Sequence, residues 1–182
     1  MRLAPLALAA ALLLSLAGCV PTTHPSASPR ASATPVFASD AEALAAAEKA
    51  YAAYLKVSAE ITQEGGVRPE RIDRWVTAEQ APRERDAYAY FKSHDLHTSG
   101  FPTFSPPKLE QVSSDASGST MITFYTCVDA TQVRVLDAHN TDVTPSNRAD
   151  RAPLEITVVS GESKSDLVIA ESSQWSGPGV CS

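Results

Sequence analysis

The sequence predicts an α+β domain in which helices come first and an antiparallel sheet follows. Three observations predict it. From Leu44 to Ile61 the apolar residues recur at steps of three and four, the spacing of one helix face. Ser119 to Val128 instead divides by strict alternation, Met121, Thr123, Tyr125 and Cys127 on one side and Ile122, Phe124, Thr126 and Val128 on the other. The change from one period to the other occurs once, near residue 100, with helices ahead of it and strands behind, and no internal repeat is visible.

The chain ahead of this domain has a different character. Fourteen of residues 1–18 are apolar and Arg2 is the one charged side chain, the n-region and h-region layout of a secretory signal. A helix from Leu3 to Ala17 would span about 22 Å, short of the ~30 Å hydrocarbon core of a bilayer. The run ends in Leu16-Ala17-Gly18-Cys19, which resembles the lipobox of bacterial lipoproteins: an aliphatic residue, two small ones and a cysteine. That resemblance implies that a diacylglyceryl group is attached to the Cys19 thiol and that the chain is then cut before it. Residues 1–18 are read as the signal peptide. Residues 19–38 follow as lipidated cysteine and tether, because fourteen of the nineteen residues from Val20 to Ala38 are Pro, Ser, Thr or Ala. Four irregularly spaced prolines favour an extended chain of about 3 Å per residue, and His24 and Arg30 read as solvated linker side chains.

Residues 39–182 remain, enough for one core of ordinary size. Ser39 with Glu42 forms a capping box and Asp40 adds charge favourable to a helix start. Leu44, Ala47, Tyr51, Tyr54, Leu55, Ser58 and Ile61 then share one face until Gly65-Gly66 closes the helix. Pro69 opens a second, short helix with Ile72, Trp75 and Val76. Thr77 and Gln80 suggest a cap for a third, through Ala87, Tyr88 and Phe91 towards Leu96, with Pro82 in its first turns. Pro102, Pro106 and Pro107 restrict any strand over 101–112 to a short or edge position. Asp115 to Gly118 is a turn; Gln132–Leu136, Leu154–Ser160 and Asp166–Trp175 read as further strands, the last two joined as a hairpin through Gly161 to Lys164.

This order of elements is similar to the cone-shaped NTF2-like (SnoaL-like, cystatin-like) fold. More closely, the domain resembles small NTF2-like lipoproteins of Gram-positive bacteria. The residues that carry the likeness are Gly65-Gly66, Pro69-Glu70-Arg71, the strand Tyr125-Thr126-Cys127-Val128-Asp129 and the ending Trp175-Ser176-Gly177. The resemblance implies an NTF2-like cone over most of residues 40–181 and an envelope location, and brings no established activity with it.

Composition narrows the chemistry. The chain carries 15 basic and 21 acidic side chains, a net charge of −6, which speaks against nucleic acid or an anionic lipid surface as partner. Of three cysteines, Cys19 is assigned to lipid; the two left, Cys127 and Cys181, favour a disulfide on the oxidising side of a membrane, with two buried free thiols as the alternative. Closing the loop between them would contribute roughly 4 kcal/mol on the loop-entropy account. No His or Asn motif flanks either one as a catalytic thiol would need.

His94-Asp95-Leu96-His97 is the one tight cluster of ligand-type side chains. Two histidines three apart can share a helix face, but they leave a zinc site incomplete, and histidines near a helix C-terminus complement its dipole. No metal and no cofactor is therefore expected. NTF2-like enzymes place an Asp or His base in the mouth of the cone, which the resemblance maps to Asp73, His94 or His97 with Tyr125, walled by Tyr51, Tyr54, Trp75 and Phe91. Against this, Asp73 sits among Glu70, Arg71 and Arg74 as on a solvated face, and Arg83-Glu84-Arg85-Asp86 reads as another. No phosphate-binding glycine loop, nucleophile elbow, HExxH or EF-hand loop is present. The expectation is a non-catalytic, lipid-anchored domain on the extracytoplasmic face of the cell membrane, binding a hydrophobic ligand or another envelope protein. The alternative is a small isomerase or dehydratase working by acid–base proton transfer.

Overall fold

The computed structural model describes residues 36–182. The signal peptide, the lipobox with Cys19 and the tether as far as residue 35 lie outside the described residues. Helix α1 runs from Asp40 to Gln63; Ser39 caps it, its Oγ accepting from the Glu42 amide at 3.2 Å while the Glu42 carboxylate accepts from the Ala38 amide at 2.9 Å. Its end is a glycine turn in which the Gly66 amide donates to the Ile61 carbonyl at 2.8 Å. Pro69–Trp75, expected as a short helix, is a 3-10 helix entered through Arg68 at φ 51°. Helix α2 covers Ala81–Ser93 and stops at His94, so Leu96 falls outside the third helix rather than at its end.

Seven strands follow: β1 His97–Ser99, β2 Thr103–Phe104, β3 Lys108–Ser114, β4 Thr120–Asp129, β5 Arg134–Leu136, β6 Arg151–Ser160 and β7 Leu167–Gln174. The main sheet has five, all antiparallel: β4 at the centre, β6 then β7 along one side, β2 and β3 sharing the other. Those last two are separate because Pro106-Pro107 lacks the donors a continuous ladder needs. Ser105 fills the gap, its amide donating to the Cys127 carbonyl at 2.9 Å and its hydroxyl accepting from the Cys127 amide at 3.0 Å. The register shifts at Leu109/Gln111 and at Thr157/Val158, irregularities of the kind that bend a sheet. The pairing of β1 with β5 into a separate two-stranded sheet was not expected from the sequence.

One face of the main sheet is apolar and carries the helices. Ile122, Phe124, Ile156, Val158 and Ile169 are wholly buried there against Ala43, Ala47, Tyr51 and Tyr54 of α1 and Ile72 of the 3-10 helix. Alanines four apart on α1 let its backbone approach the sheet, and the larger tyrosines then fill the space one turn on. Tyr51 sits edge-on to Phe104 and Phe124, with centroids 5.1 and 5.8 Å away. Helices packed on a bent antiparallel sheet make this an α+β fold. Among the described residues, no helix is long and apolar enough to cross a membrane.

Candidate binding surface

The residues singled out for catalysis do not come together. Asp73 pairs with Arg85 on α2, Oδ1 to Nε 3.0 Å. His94 caps the far end of that helix, exposed, with Nδ1 2.9 Å from the Tyr90 carbonyl and its ring 4.1 Å from the Tyr90 ring. From Arg85 to His94 is about 13 Å along the axis at 1.5 Å per residue. His97 belongs to β1, opposite Leu136. Tyr125 lies on the other face of the main sheet from Phe124 and the helices, stacked on Trp175 at 4.4 Å. The expected walls are not a cavity lining either: Tyr51 and Tyr54 are core, and Trp75 packs against that core with the Arg74 guanidinium 4.9 Å above its ring. Among the described residues no group of three His, Cys, Asp or Glu is placed to hold a metal ion.

A polar cluster lies where the sequence suggested only a solvated surface. Glu84 turns in between α1 and α2, while Arg83, Arg85 and Asp86 stay exposed. Its Oε1 accepts from the Tyr54 hydroxyl at 2.9 Å and from Gln80 Nε2 at 3.0 Å; its Oε2 accepts from the Tyr88 hydroxyl at 3.2 Å, which also lies 3.0 Å from the Ser58 hydroxyl. A signal existed: Glu84 follows Gln80 by four residues and precedes Tyr88 by four, so the three share a helix face.

Burial, with the Glu84 charge added, pushes the Tyr51, Tyr54 and Tyr88 phenols well above their ordinary range. Unfolded tyrosines lose their proton near pH 10, whereas these three retain it when folded. The unfolded state therefore binds fewer protons above that pH, and stability complete below about pH 10 declines beyond it. Each tyrosine contributes a slope of roughly 1.4 kcal/mol per pH unit. Urea midpoints measured from pH 8 to 12 are expected to stay level and then fall, more gently in Tyr54→Phe. An unchanged slope in that variant contradicts the assignment.

An apolar groove lies on the other flank of α1. With a volume of about 310 Å³, it runs between Ala52, Leu55 and Lys56 of α1 and the stretch Phe101–Phe104, which leads into and includes β2. Its lining is apolar apart from Lys56 and Thr103. Phe101 stands beside it, 50% exposed. The backbone that presents this ring is pinned: Gly100 has φ +79°, Gln63 Nε2 donates to its carbonyl at 2.8 Å, and a Cβ there would lie 2.1 Å from the Gln132 carbonyl. Glycine is required at that close approach, and Phe101 is held ready rather than left on a loose loop. A second groove, of about 330 Å³, separates Val36–Asp40 from Val112–Ser114 and Thr120, and has a more polar lining.

No protein-family model matches the chain, and no curated protein matches it in sequence. Among solved structures it is similar to the intermembrane space region of the chloroplast protein ARC6, with TM-score 0.53 and 16% identity over 74% of this chain and 97% of that one. A periplasmic fragment of TraM aligns with TM-score 0.47 and 14% identity over 75% of this chain and 96% of the fragment. The first likeness is one of fold: helices on a bent antiparallel sheet, spanning nearly all of the ARC6 region.

Proposed function

We propose that the chain is a lipid-anchored extracytoplasmic protein whose domain, a relative of the NTF2-like lipoproteins its motifs resemble, binds an apolar ligand or an envelope partner without catalysing a reaction. The observation that carries the binding reading is the pinned, half-exposed Phe101 beside the apolar groove. An aromatic side chain next to an apolar depression can anchor a partner, as aromatic anchors seated in pockets do at protein interfaces. For location, the Cys127–Cys181 disulfide supports an oxidising compartment, and Leu16-Ala17-Gly18-Cys19 supports the anchor. The isomerase or dehydratase alternative draws no support from Asp73 and His94, each of which holds a partner of its own, Arg85 for one and the Tyr90 carbonyl for the other.

The test is made on the full chain in a bacterial host fed an alkyne fatty acid, with a benzophenone amino acid at position 101. The wild-type anchor is expected to take up the label and Cys19→Ser to lose it; label kept in that variant refutes attachment at Cys19. Ultraviolet light is expected to give one discrete adduct from position 101 and none when the benzophenone stands at Glu162 in the exposed β6–β7 turn. The same diffuse products from both positions would remove the groove as a binding surface.

A further inference from the structure

The chain does not end with its last strand. After Gln174 it turns back over the outer face of the main sheet, the face without helices, and crosses from β7 over β6 and β4 towards β3. The Trp175 amide donates to the Pro153 carbonyl of β6 at 2.8 Å. Its indole stacks on Tyr125 of β4 at 4.4 Å, and the Gly177 backbone lies on the indole so closely that a Cβ there would be 2.4 Å from the ring. Lys108 of β3 donates to the Gly179 carbonyl at 2.6 Å, and Cys181 is bonded to Cys127 of β4, with Cα atoms 5.0 Å apart.

Little else holds this tail. Beyond Trp175, its one hydrogen bond to the rest of the described chain is that from Lys108, itself exposed. No residue from Trp175 onward belongs to the apolar core, which lies on the opposite face of the same strands. The covalent bond therefore fixes a segment whose own contacts are of the kind that open first in native proteins. The two half-cystines differ in burial as well: residue Cys127 is 1% exposed, whereas residue Cys181 is partly exposed.

We propose that residues 176–182 form a redox-released strap: a dithiol reductant that opens the Cys127–Cys181 bond frees the tail and bares the Tyr125–Cys127 half of the outer sheet face, while the helices and sheet stay folded. One thiolate of the reductant attacks Cys181 Sγ; the S–S bond breaks, and Cys127 leaves as a thiolate that takes up a proton. The reductant's second thiolate then attacks the mixed disulfide, releasing Cys181 as a thiol and leaving the reductant as its own disulfide. Two electrons and two protons pass to the protein. The indole of Trp175, packed on Tyr125 beside Glu110 and Glu155, then loses the Gly177 backbone that lies against it.

The experiment compares the oxidised full chain with the same chain reduced by dithiothreitol, in a Trp75→Phe background that leaves Trp175 as the sole indole. Proteolytic cleavage within 176–182 is expected to accelerate about tenfold or more on reduction, with Trp175 emission moving to the red, while the far-ultraviolet circular dichroism of the helices and sheet stays that of the oxidised chain. Cys181→Ser, without reductant, is expected to reproduce both changes. Loss of that circular dichroism on reduction would show that the bond sustains the whole fold and would overturn the proposal. So would a fully reduced chain, or a Cys181→Ser chain, whose tail cleavage and emission match those of the oxidised protein.

Discussion

Gly66→Ala is expected to destabilise the domain by about 2–5 kcal/mol, a large part of the roughly 5–15 kcal/mol that holds a domain of this size together. Two costs add at this position. Gly66 adopts φ +75°, where an L side chain costs about 1–2 kcal/mol. The added Cβ would also stand 2.0 Å from the Tyr88 carbonyl oxygen and 3.3 Å from the Lys92 amide nitrogen. Those atoms are main chain in the middle of α2, so no rotamer change relieves the overlap; α1 and α2 must move apart, and overpacking of this kind costs about 1–3 kcal/mol. Gly179→Ala isolates the first cost, because φ there is +82° but no atom lies within 4 Å of the added Cβ. Chemical denaturation of the two variants is expected to show a small loss for Gly179→Ala and a loss at least twice as large for Gly66→Ala. Equal losses would mean that the close approach to α2 contributes nothing.

Phe124→Ala is expected to cost about 3–5 kcal/mol. Phe124 is wholly buried at the centre of β4, edge-on to Tyr51 and beside Ile122, and opposite Ile156 of β6. Truncation removes apolar burial and leaves a void that neighbours fixed in a helix and two strands fill only in part. Phe101→Ala is the counterpart. The same chemistry, deleted from a ring that is half in solvent, is expected to change stability by less than about 0.5 kcal/mol. Thermal or urea unfolding of the pair separates a residue kept for the fold from one available for binding. A Phe101→Ala loss as large as that of Phe124→Ala would assign the exposed ring to the core and weaken the binding reading.

Periodicity and cysteine count make part of the fold legible in the chain itself. The face of α1 from Ala47 to Ile61, the alternation of β4 and the hairpin of β6 and β7 are written in side-chain spacing, and the structure places them accordingly. Counting cysteines named the two that the structure joins. The 3-10 character of Pro69–Trp75 was not legible, since a first-turn proline serves both kinds of helix. Nor was the β1–β5 pair, whose three-residue strands depend on partners 37 residues apart, such as Thr98 and Val135. Glu84 was misread because a carboxylate among Arg83, Arg85 and Asp86 looks solvated until the phenol of Tyr54, on another helix, supplies the reason for it to turn inward. The groove escaped for a similar cause. Phe101 and Leu55 meet only through the fold, and nothing local marks Phe101 as the aromatic left outside.

The Glu84 cluster has a mechanical meaning. The two bonds that cross between the helices, Tyr54 to Glu84 and Tyr88 to Ser58, work as an index pin: a slide of α2 along α1 by one turn, about 5.4 Å, would break both. Oily contacts tolerate such slippage; this set of directional bonds does not. The two helices are thereby keyed to each other, and any displacement imposed on the Leu55–Lys56 flank by a bound partner must carry α2 with it as one plate.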